Sequence, residues 1–317
     1  MNSMNLMNKT FPTDSSRPFL DQLPGSFAHT NKGITTANQP EADNFVYVTG
    51  FVNASFPGLS LEKELYQSLG PVDSKSLDGI NDEVALDTLN QLPQLGSQLY
   101  KALKIPGHAY IAREMHWTLN NADDNEIYRL LPNSNQCLQA LIAAISPSGS
   151  SVSSKARQPT RQVIIVGREV SSVTGSADIV VSHMFAIDTE ALTRSIVQEQ
   201  SPGVEELFGE ILSLSANDGN TDAERALNYA VYNNPLIYRN SYSKAYESRS
   251  KGPNPSGYQL ENVRVVGGAR SARVVAKVVF DYRGINSGAK QSWYCSVDVT
   301  GEYPFLVTPW ARFLSQH

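Results

Sequence analysis

Three histidines fall in the part of the chain that patterns as folded, His108, His116 and His183, and each stands alone among apolar or turn residues. His108 and His116 flank a short apolar run and could reach one metal ion through neutral imidazole nitrogens. Ordinary hydrogen-bonded histidines are the simpler expectation, so no metal and no cofactor is expected. Cys137 and Cys295 lie far apart, one in a helical pattern and one in a strand pattern, and read as buried free thiols rather than a disulfide or a metal pair. The usual reaction signatures are missing: no Gly-x-Ser-x-Gly, no His-Glu-x-x-His, no loop ending in Gly-Lys-Ser/Thr and no Cys-x-x-Cys. Val266-Gly267-Gly268-Ala269-Arg270 puts two glycines after a strand pattern. With no third glycine and no helix behind them, a hairpin turn is expected over a phosphate cradle. A non-catalytic protein is the expectation.

Side chains suited to binding gather in one stretch instead. Arg225, Asn228, Tyr229 and Tyr232 sit on adjacent turns of a helical pattern, and Tyr238, Tyr242 and Tyr246 repeat every four residues on the next. An arginine grips a carboxylate with two parallel hydrogen bonds, and an asparagine amide pairs with a peptide backbone. Tyrosine supplies contact area at small entropic cost. Each has a plainer reading: Arg225 and Asn228 as an internal network tying the helix to its neighbours, the tyrosines as a half-buried boundary with wet hydroxyls.

The elements that must carry these residues are well marked. Thr221 and Glu224 form a capping-box signature, Ala226, Leu227, Ala230 and Val231 define an inward face, and Pro235 ends the first helix. Upstream, residues 1–40 are rich in Asn, Ser, Thr and Pro without a period and read as a flexible leader. Phe45 to Val52 has β-branched and aromatic residues on both faces, as a well-covered strand requires. A helix opens at Ser60, and a second helical pattern runs from about residue 81 to Leu103, broken at Pro93. Ala109 to Arg113, Met115 to Leu119 and Glu126 to Leu131 read as short antiparallel strands, and a helix starts at Asn133 or Asn135. Val163-Ile164-Ile165-Val166 suits a strand buried on both faces, Asp178 to Ile187 a further strand, and Leu192 to Ile196 and Pro202 to Leu212 helices. Val274 to Tyr282 and Trp293 to Val299 alternate as a hairpin with one core face and one mixed face, joined by Val263 to Val266. The expected class is α+β, a mixed and largely antiparallel sheet or sheets with packed helices. Residues 146–160, rich in Ser, Gly and Pro, read either as a linker between an N-terminal lobe, 41–145, and a C-terminal lobe, 161–317, or as a surface loop within one domain.

Composition bounds the partners. Hydrophobic residues at 41% support a packed core across 317 residues, while a formal charge of -5 without Lys and Arg clusters argues against nucleic acid. No apolar run approaches the about 18–20 residues that cross a bilayer, and the first residues lack the basic and apolar regions of a signal peptide, so a cytoplasmic protein with no membrane partner is expected.

Glu224-Arg225-Ala226-Leu227-Asn228-Tyr229 followed by Pro235-Leu236-Ile237-Tyr238, together with the run Val297 to Thr308, resembles the C-terminal domain of unknown function of cyanobactin maturation proteases. Phe45 to Gly50 with Phe56-Pro57 is similar to that domain's beginning, and Val163 to Gly167 to a strand within it, so the likeness spans about residues 41–317. The proteases carry a subtilisin-like domain ahead of this one, and nothing here could house it, so the accessory domain alone is expected. Stand-alone relatives in clusters for ribosomally made, modified peptides, crocagin-type clusters among them, bind the precursor peptide without transforming it. The resemblance implies that role here, a substrate chaperone, with Arg225, Asn228, Tyr229, Tyr232, Tyr238 and Tyr242 as candidate peptide-binding residues. The expected partners are the precursor peptide and the pathway's modifying enzymes, with a homodimer through paired sheet edges as a further possibility. Two alternatives stand beside it: a peptide-tailoring enzyme using His108, His116 or Cys137, and a scaffold subunit for the modifying enzymes.

Overall fold

A computed structural model describes residues 44–68, 99–146, 161–170, 177–187, 204–245, 257–267, 269–270 and 273–314. The leader expected over 1–40, the helical patterns around Leu86 and Leu192, and Tyr246 lie outside them. In chain order the elements are β1 (Phe45–Ser55), α1 (Leu59–Ser68), α2 (Ala109–Glu114), β2 (His116–Asn120), β3 (Glu126–Pro132), α3 (Asn135–Ala144), β4 (Gln162–Val170), β5 (Asp178–Ala186), α4 (Val204–Ser213), α5 (Asp222–Asn233), α6 (Pro235–Ala245), β6 (Tyr258–Val266), β7 (Ala269–Arg270), β8 (Arg273–Gly284), β9 (Lys290–Asp298) and β10 (Phe305–Phe313). The class is α+β with mostly antiparallel strands, as the sequence patterns imply. Among the described residues no helix is long and apolar enough to cross a membrane.

The first five strands close into a barrel in the order β1-β2-β3-β5-β4. All its pairs are antiparallel except β3 with β5, which run parallel from Arg129 beside Asp178 to Pro132 beside Val181. Alternation along β1 and β4 sends Val46, Val48, Val163 and Ile165 into the barrel cluster and Tyr47, Ile164 and Val166 into the opposite one. Both faces of this pair are therefore buried, which is why its sequence is apolar without a break. Trp117 fills the barrel side and donates its indole N–H to Ala112 O at 2.8 Å. The barrel takes β1 to β3 from before residue 146 and β4 and β5 from after residue 160, so the 146–160 segment joins two parts of one barrel.

One expected strand is a helix. Ala109 to Glu114 forms α2, started by a 3-10 turn at Pro106–His108, with Ile111 and Ala112 inward. Ala, Arg and Glu favour helix, and the short apolar alternation that suggested a strand reflects only the two buried positions. At α3 the cap is Ser134, which accepts from the Cys137 N–H, one residue from either asparagine proposed for the start.

The second sheet runs β10-β9-β8-β6, with β7 paired to β8. Its inner face, including Ala276, Val278, Phe280, Cys295 and Val297, packs on α4, α5 and α6. Helix α5 thus lies between β1 of the barrel and β8 and β9 of the sheet.

The barrel has a seam. Phe51–Ser55 of β1 pairs with β2, but the stretch before Phe51 pairs only with β4. The turn before α5 fills the open side: the Tyr47 N–H donates to Gly219 O at 2.9 Å, and Tyr128 Oη of β3 donates to Asp218 O at 2.9 Å. Gly219 has φ +65°, and a Cβ there would lie 2.3 Å from Tyr47 O, so only glycine can approach this closely.

Candidate peptide-binding surface

Helix α5 begins with a complete capping box: Thr221 Oγ1 accepts from the Glu224 N–H, and Glu224 accepts from the Thr221 N–H. That fixes the rotation of the helix and so the direction of every side chain after it. Arg225 is 3% exposed and reaches the β9–β10 connection, where its guanidinium donates to Val299 O at 2.9 Å, to Glu302 O at 3.3 Å and, more closely, to Gly301 O. Asp222 pairs with it at 3.2 Å, and the Phe45 ring of β1 lies 5.3 Å from it. Burial pulls the guanidinium pKa below its ordinary value, and Asp222 partly offsets this. Asn228, fully buried, donates to Tyr47 O at 2.9 Å and exchanges amide hydrogen bonds with Asn217.

Tyr232 and Tyr238 are interior as well. Tyr232 shares a 2.8 Å hydrogen bond with Ser215, and Tyr238 donates to Val231 O at 3.0 Å with its ring 4.6 Å from that of Phe208. Burial raises both hydroxyls above the usual tyrosine pKa. Tyr229 and Tyr242 are half-buried against the same core cluster. Arg225, Asn228, Tyr232 and Tyr238 therefore turn their polar groups to the interior, with Arg225 Nε left unpartnered there, filling the network role rather than lining a surface. Tyr229 stands at the margin, 5.8 Å from Tyr47 and hydrogen-bonded by the backbone at Leu306.

The isolated side chains that suggested chemistry stay separate. His108 is buried with Nδ1 2.8 Å from Ala102 O, and His116 is exposed. His183 is exposed with its ring 5.3 Å from that of Tyr303. Cys137 donates weakly to Asn133 and to the Val181 and Ser182 carbonyls, while burial pushes the Cys295 thiol up to about 12. Among the described residues no three His, Cys, Asp or Glu side chains converge on a common point.

Surface for an extended ligand lies on the second sheet. The barrel is closed and its seam is covered by the turn before α5, so among the described residues the open edges are β10 and β6. β10 is tied down: Leu306 bonds to Tyr229, Pro309 has no N–H, and the Pro309 carbonyl accepts from Asn234 at 2.6 Å. β6 pairs only with β8 among the described residues. A shift between Leu260 and Asn262 turns Glu261 out, beside a depression of about 390 Å³ lined by Glu261, Asn262, Asp281, Lys290 and Ser292.

The outer face beside β6 is built from cations laid on rings. Arg264 lies 5.0 Å from the Phe313 ring, Lys277 5.3 Å from Tyr294 and Arg273 5.5 Å from Phe305. Val279, flanked in register by Arg264 and Tyr294, is fully buried although it points to this side. The face is thus apolar underneath and basic on top. The alternation in β8 signals its mixed character, but the meeting of Arg264 with Phe313 across two intervening strands has no local signal.

The family profile described as PatG Domain matches residues 45–231, more than half of the chain, and the one described as PatG C-terminal matches residues 196–313. A solved structure titled PatG Domain of Unknown Function is similar in fold, with a TM-score of 0.60 over 86% of this chain and 99% of that chain at 17% identity. No curated protein matches.

Proposed function

We propose that this chain, which belongs to the PatG domain family, is a non-catalytic accessory protein that binds a ribosomal precursor peptide as an extended segment in cyanobactin-related biosynthesis. Family membership supports the pathway. The observation that carries the binding role is the β6 edge with its basic and aromatic outer face, set against an α5 whose polar side chains are consumed internally. A peptide laid along β6 gains backbone hydrogen bonds, and its alternate side chains reach the outer face, which supplies selectivity. Holding the peptide extended presents it to the pathway's modifying enzymes, the second class of partner.

Calorimetry with the precursor peptide encoded in the same gene cluster tests this. Saturable binding is expected at about 50 μM protein, where a micromolar Kd is readily seen. No heat and no change in fluorescence anisotropy at that concentration refutes the role, and a mass change in the peptide would make the protein a tailoring enzyme instead.

A further inference from the structure

The charges on the outer face of the second sheet point to the chemistry of the segment it takes. In a chain of formal charge -5, this face carries five cations, Arg264, Arg273, Lys277, Arg283 and Lys290. It holds three carboxylates, and each is already engaged. Asp281 accepts from Arg264 at 3.0 Å and from Ser292, Asp298 from Arg273 and the Thr300 N–H, and Glu261 from Arg283 with Lys290 3.6 Å away. Arg283 and Lys290 therefore share one carboxylate, and among the described residues no acid lies within ion-pair distance of Lys277. The cations are also accessible, with side-chain exposures of 40% for Arg264 and 59% for Arg273.

We infer that this face selects an acidic extended peptide segment, with carboxylates at every second position, docked along β6; the inference rests on the peptide-binding role proposed above. The register supplies the spacing. Arg264 is opposite Val279 and Val266 is opposite Lys277, so outer-face side chains of a strand added to β6 pass Arg264 and then, two residues on, the row of Lys277. Arg264 and Lys277 lean inward over Phe313 and Tyr294, so carboxylates at those two positions face the positive field of this face across β6 rather than a direct ion pair. The intervening side chains turn to the inner side, where Val263 and Val265 border the apolar core, and favour an apolar residue. The rings of Phe313 and Tyr294 hold the two cations in place before the ligand arrives, so less side-chain freedom is lost on binding.

The probe is a fluorescein-labelled peptide of alternating Glu and Val, seven residues long, beside its Lys-Val and Gln-Val counterparts, read by anisotropy on the full chain. The Glu peptide is expected to bind about tenfold more tightly than the Lys peptide, and to weaken about tenfold between low and high salt. Lys277→Gln breaks no ion pair among the described residues, and it is expected to weaken the Glu peptide about threefold and leave the Gln peptide unchanged. Arg264→Gln does the same, with a melting curve checking that release of Asp281 leaves the fold intact. Equal affinity for the Glu and Lys peptides, or no effect of Lys277→Gln, overturns the inference. A precursor peptide that binds with no response to salt or to Lys277→Gln overturns the acidic selection alone and leaves the binding role standing. Discrimination among the probes with no binding of the precursor supports the acidic selection and sinks the precursor as the ligand.

Discussion

Arg225→Met separates a clamp from a contact. Methionine keeps much of the aliphatic volume, so what is lost is the guanidinium and its bonds to Val299 O, Gly301 O and Glu302 O. Val299 O sits in a fully buried pair, and abandoning it costs about 1–3 kcal/mol. Gly301 O and Glu302 O belong to an exposed turn where water replaces the donor, so they add roughly 0.5–1 kcal/mol together. Against this, the substitution removes a cation whose desolvation is costly, which returns about 1 kcal/mol. The net loss is about 0.5–3 kcal/mol, or roughly 1–9 °C in melting temperature for a chain of this size. Scanning calorimetry or near-ultraviolet circular dichroism reads the melt, and anisotropy reads binding of the precursor peptide at about 15 °C, well below either transition. The expected result is a lower melting temperature with binding unchanged. A variant that melts within about 1 °C of the parent yet no longer binds refutes the reasoning and makes Arg225 a ligand contact.

Gly219→Ala forces a Cβ to 2.3 Å from Tyr47 O at φ +65°, so a loss of at least about 2 kcal/mol is expected, with faster exchange of the Tyr47 amide hydrogen; unaltered exchange would show that the turn does not seal the seam. Burial raises the Asp298 pKa, but the Thr300 and Arg273 hydrogen bonds outweigh it and leave the carboxyl below its ordinary value. The stability it contributes is therefore present above the unfolded carboxyl pKa of about 3.9 and lost as pH falls through the folded one. Unfolding followed from pH 7 to pH 2.5 is expected to show this acid limb, flattened in Asp298→Asn; an identical limb in the variant counts against the assignment. Iodoacetamide at pH 8 is expected to leave Cys295, whose thiol is pushed up to about 12, unlabelled in the native protein and to label it rapidly in urea, with mass spectrometry as the readout. Native labelling at the unfolded rate would show that the sheet opens locally.

Local chemistry accounts for what could be read from the sequence. Thr221, Glu224 and Pro235 set both ends of α5 because capping and a missing N–H act within one turn. The β8–β9 hairpin and the doubly covered β1 and β4 follow from side-chain period alone. Closure of the barrel was not legible, because the parallel pairing of β3 with β5 joins residues about fifty positions apart and leaves no periodic trace. Nor was the destination of Arg225: an arginine at the start of an amphipathic helix usually meets solvent, and its burial depends on a turn more than seventy residues further on. Two of the blocks that carry the family resemblance are the two that Arg225 joins, so that part of the signature marks a tertiary contact. The basic and aromatic face was half visible, since alternation in β8 marks a mixed face but not which rings its cations would find.

The seam filled by Gly219 also sets an order of events during synthesis. Tyr47 emerges from the ribosome about 170 residues before the turn that completes its hydrogen bonding, and β4 and β5 arrive in between. Until then the early part of β1 is a strand with an open edge, and closing the circuit costs the entropy of a very long loop. Folding should accordingly be slow and governed by late, distant contacts, with the half-made barrel exposed to strand addition by other chains. At an elongation rate of about 5–20 residues per second that exposure lasts roughly 10–30 s.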